Sequence, residues 1–155
     1  MSGEGKTETP PPPASHLTVA IVSGSWHDEI IQGLLKGAND VCQEAGIQPT
    51  VVRAPGAFEL PLVAARLAEK HDAVVALGVI IRGGTPHFEY VCNAATDGLT
   101  RVALDSGTPV GFGVLTCDDY EQARDRAGLP GSSESKGREA ALAAIETALL
   151  LERLS

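Results

Sequence analysis

Apolar residues follow two spacings along this chain, short continuous runs and longer stripes with a helical period. The continuous runs predict strands at residues 17–23, 50–53, 73–81 and 109–115. Between and after them, apolar positions three or four residues apart predict helices near residues 30–45, 60–68, 91–103, 121–127 and 137–154. Because strands and helices alternate, we expect an α/β fold with a four-stranded, doubly wound parallel sheet covered by helices on both faces.

Length and composition fit one globular domain. The chain has 155 residues, of which 43% are hydrophobic and 21% charged. Residues 1–15 differ from the rest, because they carry four consecutive prolines among Gly, Ser and Glu. This composition predicts a flexible or extended arm, free in solvent or lying on a neighbouring subunit, and a single domain over residues 16–155.

The charge and the cysteines limit the possible partners. A net charge of −8 and a pI near 4.9 argue against binding to nucleic acid or to an anionic membrane surface. No apolar stretch reaches transmembrane length, and the first residues lack the order of a signal peptide. The three cysteines lie far apart in the sequence and show no Cys-x-x-Cys spacing, which predicts reduced thiols and a cytoplasmic location.

The turn after the third predicted strand carries the strongest chemical signal. Gly83 and Gly84 would let the backbone approach a ligand, and Thr85 is placed to cap the next helix with Pro86 at its first position. The amides and the dipole at a helix N-terminus favour an anion. His87, just inside that helix, would place a titratable ring beside it. The turn therefore predicts a phosphate site with a proton-transfer group.

Ligands of open α/β sheets bind at the carboxyl ends of the strands, so the other strand ends belong to the same candidate site. They contribute Trp26 after the first strand, Glu59 after the second and Phe112 within the fourth. Each residue alone has an ordinary structural explanation, as a core aromatic, a charge at a helix start or, for His87, a hydrogen-bonding residue. Together with His87 they favour a ligand with a flat ring, hydroxyl groups and a phosphate.

Two late cations are candidates for the charge that a phosphate needs. Arg126 lies near the end of a short predicted helix, and Lys136 precedes the last helix. Within one subunit they need not reach the glycine turn, whereas across a subunit boundary they could.

Four segments of the chain resemble the lumazine synthase family of riboflavin biosynthesis. The resemblance extends from about Leu17 to Leu154 and leaves out the N-terminal arm. It implies a flavodoxin-like, three-layer α/β/α fold, in agreement with the strand pattern. The segments that carry it are 25–27 (Ser-Trp-His), 55–59 (Pro-Gly-Ala-Phe-Glu), the long motif 78–92, and 125–128 (Asp-Arg-Ala-Gly).

This resemblance implies an activity and roles for single residues. Family members condense 5-amino-6-(D-ribitylamino)uracil with 3,4-dihydroxy-2-butanone 4-phosphate to 6,7-dimethyl-8-ribityllumazine, releasing phosphate, and no cofactor or metal is expected. Within one subunit the implied contacts are Trp26 on the pyrimidine ring, Ala57, Phe58 and Glu59 at the ribityl chain, Val79, Ile80 and Ile81 through backbone groups at the pyrimidine, Gly84 and Thr85 at the phosphate, and His87 in proton transfer.

The resemblance also implies a homo-oligomer with sites at the subunit interfaces. The adjacent subunit would supply Phe112 against the ring, Arg126 to the phosphate and Lys136 near the pyrimidine carbonyl. Capsid-forming relatives have a short glycine-containing turn before the last helix. Here residues 129–135 form a longer stretch with a proline. This favours a pentamer over a sixty-subunit shell.

Three other functions remain open from the sequence. A non-catalytic carrier of a ribityl compound or flavin would explain Trp26 and Glu59 but leaves His87 without a role. A thiol hydrolase would use Cys92 or Cys117, although Cys92 falls among apolar residues of a predicted helix. In a structural shell, catalysis would be secondary.

Overall fold

A computed structural model describes residues 9–155 of the chain. All of the predicted strands and helices are present. In order they are β1 (Val19–Ser23), α1 (Asp28–Glu44), β2 (Thr50–Arg53), a short 3-10 helix (Ala57–Glu59), α2 (Leu60–Ala68), β3 (Ala73–Ile81), α3 (His87–Ser106), β4 (Val110–Cys117), α4 (Tyr120–Asp125) and α5 (Lys136–Leu154). Within residues 9–155, no helix combines the length and the apolar content that crossing a membrane requires.

The four strands form one parallel sheet in the order β2-β1-β3-β4. β3 lies between β1 and β4 and is buried from Ala73 to Ile80. A strand covered on both faces explains why its sequence is continuously apolar rather than alternating. The predicted α/β fold with a four-stranded parallel sheet is confirmed.

Helices cover both faces of the sheet, so the molecule has three layers. On one face, Leu77 of β3 packs in a cluster with Leu34 of α1 and Ile145 of α5. On the other face, Ala76 packs in a second cluster with Leu60 of α2 and with α3. Adjacent strand residues point to opposite faces, which divides β3 between the two clusters. Each fully buried Leu or Ile stabilises the fold by roughly 1.5–3 kcal/mol.

Helices α1 and α5 approach each other closely through small residues. A Cβ atom on Gly137 would overlap the backbone carbonyl of Leu34. On α1, a Cβ atom on Gly37 would lie 2.7 Å from the Ser135 hydroxyl. These contacts set the position of the first turn of α5, and therefore of Lys136.

The packed part of the chain begins earlier than residue 16. Ala14 is buried, and its N–H donates a hydrogen bond to the carbonyl of Ala45 at 2.9 Å. His16 Nε2 lies 2.9 Å from the Glu152 carboxylate, which ties the start of the domain to the end of α5. Of the arm predicted for residues 1–15, residues 1–8 lie outside the described residues.

Candidate active site

One cleft gathers residues from three loops at the carboxyl end of the sheet. It has a volume of about 380 Å³. Its walls come from the β1–α1 loop, the 3-10 helix after β2, the end of β3 and the start of α3. The lining residues are Trp26, His27, Gly56, Ala57, Phe58, Glu59, Val79, Ile80, Ile81, Gly83, Thr85, His87, Phe88 and Val91.

The β1–α1 loop presents Trp26 to this cleft. The Ser25 hydroxyl donates to the Ala54 carbonyl at 2.7 Å, which ties the loop to the end of β2. His27 then has φ 58° and ψ 66°, a left-handed conformation that is uncommon for residues other than glycine. The side chain of Trp26 is 68% exposed. A core role for Trp26 is therefore wrong, and its ring is available to a ligand.

Glu59 lies beside Trp26 because Gly56 has no side chain. A Cβ atom on Gly56 would lie 3.2 Å from the indole ring and 3.3 Å from a carboxylate oxygen of Glu59. Phe58, on the same 3-10 helix, is 64% exposed. This corner of the cleft thus combines two exposed aromatic rings with a carboxylate, which can accept hydrogen bonds from hydroxyl groups.

The end of β3 offers backbone groups to the cleft. The pairing of β1 with β3 ends at Ser23 and Leu77, whereas β3 continues to Ile81 beside β4. Among the described strands, none lies beside the last four residues of β3 on the β1 side. Backbone N–H and C=O groups on that edge can therefore bind a ligand. Val79, Ile80 and Ile81 line the cleft at this edge.

The turn after β3 leaves open space at its glycines. A Cβ atom on Gly83 or Gly84 would meet no atom within 4 Å, and neither residue has a positive φ. Neither packing nor backbone conformation therefore requires glycine in this turn, and the free space favours a ligand close to the backbone. Gly83 lines the cleft directly, and Gly84 follows it in the same turn.

His87 is the first residue of α3, one position earlier in that helix than predicted. Pro86, and not Thr85 as predicted, is the N-cap residue, and the Thr85 hydroxyl accepts only a long hydrogen bond of 3.4 Å from the His87 amide. Thr85 and His87 both line the cleft. The positive end of the α3 dipole favours an anion at this place, next to the imidazole ring.

Besides Gly84, which does not itself line the cleft, three predicted site residues lie away from the cleft of their own chain, and no Lys or Arg is among its lining residues. Phe112 and Lys136 line a separate cavity of about 390 Å³ between β4 and α5. Phe112 is 46% exposed. Arg126 is the C-cap of α4, where its Nη1 donates to the Gln122 carbonyl at 2.9 Å.

Lys136 and Arg126 share an acidic neighbour. Lys136 Nζ lies 3.0 Å from Glu134 and 3.1 Å from Glu139, and Arg126 Nε lies 3.9 Å from Glu134. Burial lowers the pKa of Lys136, but hydrogen bonds to the two carboxylates outweigh this and leave the pKa above its ordinary value. The lysine is therefore charged at neutral pH.

Sequence reasoning did not select four residues that also line the cleft. They are His27, Gly56, Phe88 and Val91. Val91 is four positions after His87 in α3, so helical periodicity from His87 could have identified it, whereas that period does not mark Phe88. The left-handed backbone of His27 has only a weak signal, because histidine is enriched in that conformation with Asn and Asp but seldom adopts it.

The cysteines have the character of structural thiols. Burial raises the pKa of Cys92 and of Cys117, and it raises the pKa of Cys42 to about 11. Since the thiolate is the nucleophile, a raised pKa argues against a thiol hydrolase. Among residues 9–155, no three side chains of the His, Cys, Asp and Glu types are grouped to hold a metal ion.

Comparisons with known proteins show which proteins this chain resembles. Residues 16–152 match the model of the 6,7-dimethyl-8-ribityllumazine synthase family. A 6,7-dimethyl-8-ribityllumazine synthase of Pseudarthrobacter chlorophenolicus is 60% identical over 161 aligned positions that cover all of both chains. The synthase of Frankia casuarinae is 60% identical over 99% of this chain and 98% of its own. That of Mycobacteroides abscessus is 59% identical over 99% and 97%.

Proposed function

The chain belongs to the 6,7-dimethyl-8-ribityllumazine synthase family, and we propose on that premise how its residues divide the reaction. The protein is a transferase of riboflavin biosynthesis. It condenses 5-amino-6-(D-ribitylamino)uracil with 3,4-dihydroxy-2-butanone 4-phosphate to 6,7-dimethyl-8-ribityllumazine. The observation that carries the residue assignment is that Trp26, Glu59, Thr85 and His87 line one cleft.

The aminouracil occupies the part of the cleft between Trp26 and the end of β3. Trp26 stacks on the pyrimidine ring, and the free edge of β3 at Val79, Ile80 and Ile81 binds its polar groups. Ala57, Phe58 and Glu59 line the ribityl chain, and the Glu59 carboxylate accepts hydrogen bonds from its hydroxyl groups. The exposure of Trp26 and the unpaired β3 edge support this orientation.

The butanone phosphate binds at the turn before α3. Gly84 and Thr85 hold the phosphate, and His87 transfers protons at the adjacent reacting carbons. The open space at the glycines and the helix dipole of α3 support this part of the assignment.

The neighbouring subunit completes the site with Phe112, Arg126 and Lys136. Two observations support this. The cleft has no Lys or Arg among its lining residues, although a phosphate dianion needs a cation. Phe112 and Lys136 share one cavity, so a single neighbouring surface presents both. We propose a homopentamer rather than a sixty-subunit shell, because residues 129–135 are longer than the turn of capsid-forming relatives.

The chemistry needs little beyond positioning. The 5-amino group attacks the ketone and water leaves as the imine forms. Phosphate is then eliminated, and ring closure releases a second water. Because both substrates carry their own reactive groups, holding them together supplies most of the acceleration, and no cofactor is needed. Proton transfer by His87 increases the rate by about 10²–10⁴-fold.

The three free cysteines support the cytoplasm as the location.

Incubation of the purified protein with both substrates tests the activity. Lumazine fluorescence should appear together with one equivalent of inorganic phosphate, and alkylation of the cysteines should leave the rate unchanged. Binding of the aminouracil without turnover would instead indicate a non-catalytic carrier. Light scattering tests the assembly, which should have five times the 16.1 kDa mass of the chain.

A further inference from the structure

Arg82 lies at the start of the phosphate turn, yet it does not line the cleft. We propose that Arg82 is a positioning residue, which holds the turn from Gly83 to His87 in shape by stacking on Phe88 while Asp118 fixes its guanidinium. The inference rests on the proposed function, because it concerns the turn assigned to the butanone phosphate.

Three contacts fix the Arg82 side chain. Its Cζ lies 4.4 Å from the centroid of the Phe88 ring, which is a cation–π arrangement. Its Nε donates to the Asp118 carboxylate at 2.9 Å. Its Nη1 lies 4.0 Å from the Glu89 carboxylate. The backbone of Arg82 is held as well, because its N–H donates to the Cys117 carbonyl at 2.9 Å.

The turn needs such a contact because its own residues make few. The glycines have no neighbours within 4 Å of a Cβ position, and the Thr85 hydroxyl makes only a long bond to the His87 amide. The stacking of Arg82 on Phe88 joins the two ends of this segment across the residues between them. Phe88 in turn lines the cleft beside His87, so the stack also fixes one wall of the site.

Arg82 is not itself placed as a phosphate ligand. Its Nε is bonded to Asp118, and with Asp118 it lines a different cavity, on the side of α3 that carries Cys92. The guanidinium, through its hydrogen bond, lowers the pKa of Asp118, which therefore stays ionised at neutral pH. The backbone of Asp118 is fixed as well, since its N–H donates a hydrogen bond to the side-chain oxygen of Gln122 at 2.7 Å.

A planar guanidinium is required for both contacts at once. It can stack on a ring through its face while donating through its edge, which an ammonium group cannot do. Lysine at this position would keep the charge and lose the positioning. The Arg82→Lys substitution therefore distinguishes a positioning role of Arg82 from a purely electrostatic one.

The test compares Arg82→Met, Arg82→Lys and Asp118→Asn with the wild type. For both Arg82 variants we expect the KM for the butanone phosphate and the inhibition constant of inorganic phosphate to rise about three- to thirtyfold, the range of a cation–π contact. Asp118→Asn should also raise the KM for the butanone phosphate and the inhibition constant of phosphate, but by a smaller factor. The KM for the aminouracil should stay within about twofold, because that substrate lies at the other end of the cleft. Arg101→Met is the matched control, since Arg101 is an exposed residue of α3 whose Nε pairs with Asp105 at 3.0 Å.

A double-mutant cycle identifies the partner. Arg82→Met combined with Phe88→Leu should raise the KM for the butanone phosphate by less than the product of the single effects. Three results would each overturn the inference. The first is a wild-type KM for the butanone phosphate in Arg82→Lys, and the second is multiplicative effects in the double-mutant cycle. The third is an unchanged KM in both Arg82→Met and Asp118→Asn. In all of these cases an active wild type leaves the proposed function intact, whereas an inactive wild type overturns that function itself.

Discussion

Arg126 holds its guanidinium Nε 3.9 Å from the carboxylate of Glu134, outside the cleft of its own chain. Its Nη1 donates a hydrogen bond to the Gln122 carbonyl, which keeps the side chain at the end of α4. The cation is thus oriented before any substrate binds. Such preorganisation is useful if the side chain meets the phosphate of a neighbouring subunit, because less side-chain freedom is lost on binding.

Arg126→Ala should weaken binding of the butanone phosphate. Loss of a hydrogen bond to a charged group costs about 1.5–3 kcal/mol, so we expect the KM for this substrate to rise roughly 10- to 150-fold. The KM for the aminouracil should change little. Steady-state kinetics with each substrate varied in turn provide the measurement, and an unchanged KM for the butanone phosphate would remove Arg126 from the site.

Mixed oligomers test whether the site is shared. His87→Ala and Arg126→Ala subunits, denatured and reassembled together, should regain part of the wild-type activity, because some interfaces then combine two intact halves. Glu59→Gln mixed with His87→Ala is the control, since both changes affect the same half and should restore nothing. Equal activity in the two mixtures would contradict a shared site.

His87→Asn should lower kcat more than it changes either KM. The variant keeps a polar side chain of similar size and loses the proton-transfer group, so we expect a decrease in kcat of about 10²–10⁴-fold. His16→Gln is the matched control, because His16 pairs with Glu152 far along the chain and does not line the cleft. A kcat within a few fold of the wild type would show that positioning alone carries the reaction.

The sequence predicted the sheet and much of the cleft for one physical reason. β3 is apolar throughout because both of its faces are covered, and the residues after each parallel strand meet at one edge of the sheet. That rule alone predicts that Trp26, Glu59 and His87 lie at one site. The assignment of single roles, in contrast, depended on the resemblance to a family.

Other parts of the site could not be predicted from spacing. The left-handed backbone of His27 has only a weak sequence signal, because most histidines do not adopt this conformation. The stacking of Arg82 on Phe88 depends on how the turn closes, which apolar periodicity does not describe. The burial of Ala14 against α1 was also missed, because a run of prolines indicates an arm even where its last part packs on the domain.

Two glycine substitutions should have opposite effects. At Gly84 a methyl group meets only open space, so Gly84→Ala should leave the thermal stability unchanged and raise the KM for the butanone phosphate. At Gly137 a methyl group overlaps the Leu34 carbonyl, so Gly137→Ala should destabilise the fold by about 1–3 kcal/mol. Thermal denaturation and kinetics of both variants provide the comparison. Destabilisation by Gly84→Ala with an unchanged KM would mean that this glycine serves the fold rather than the ligand.

The loop before α5 should lose stability in acid through Asp125. Its carboxylate accepts hydrogen bonds from the Ser133 hydroxyl at 2.6 Å and from the Ser133 amide at 3.0 Å, and these bonds hold its pKa below the ordinary value of 3.8. A carboxyl whose pKa is lower in the folded state stabilises the fold above its unfolded pKa, and the effect disappears as the pH falls through the folded value.

The melting temperature of the wild type should therefore exceed that of Asp125→Asn above about pH 4, and the two curves should converge below it. Ser133→Ala removes the hydroxyl donor and should lower the melting temperature by part of the amount seen for Asp125→Asn. Combining the two substitutions should lower it little further than Asp125→Asn alone, because both remove the same contact. Thermal denaturation between about pH 2.5 and 7 checks this. A constant difference between the wild type and Asp125→Asn across that range would show that the charge of Asp125 does not hold the loop.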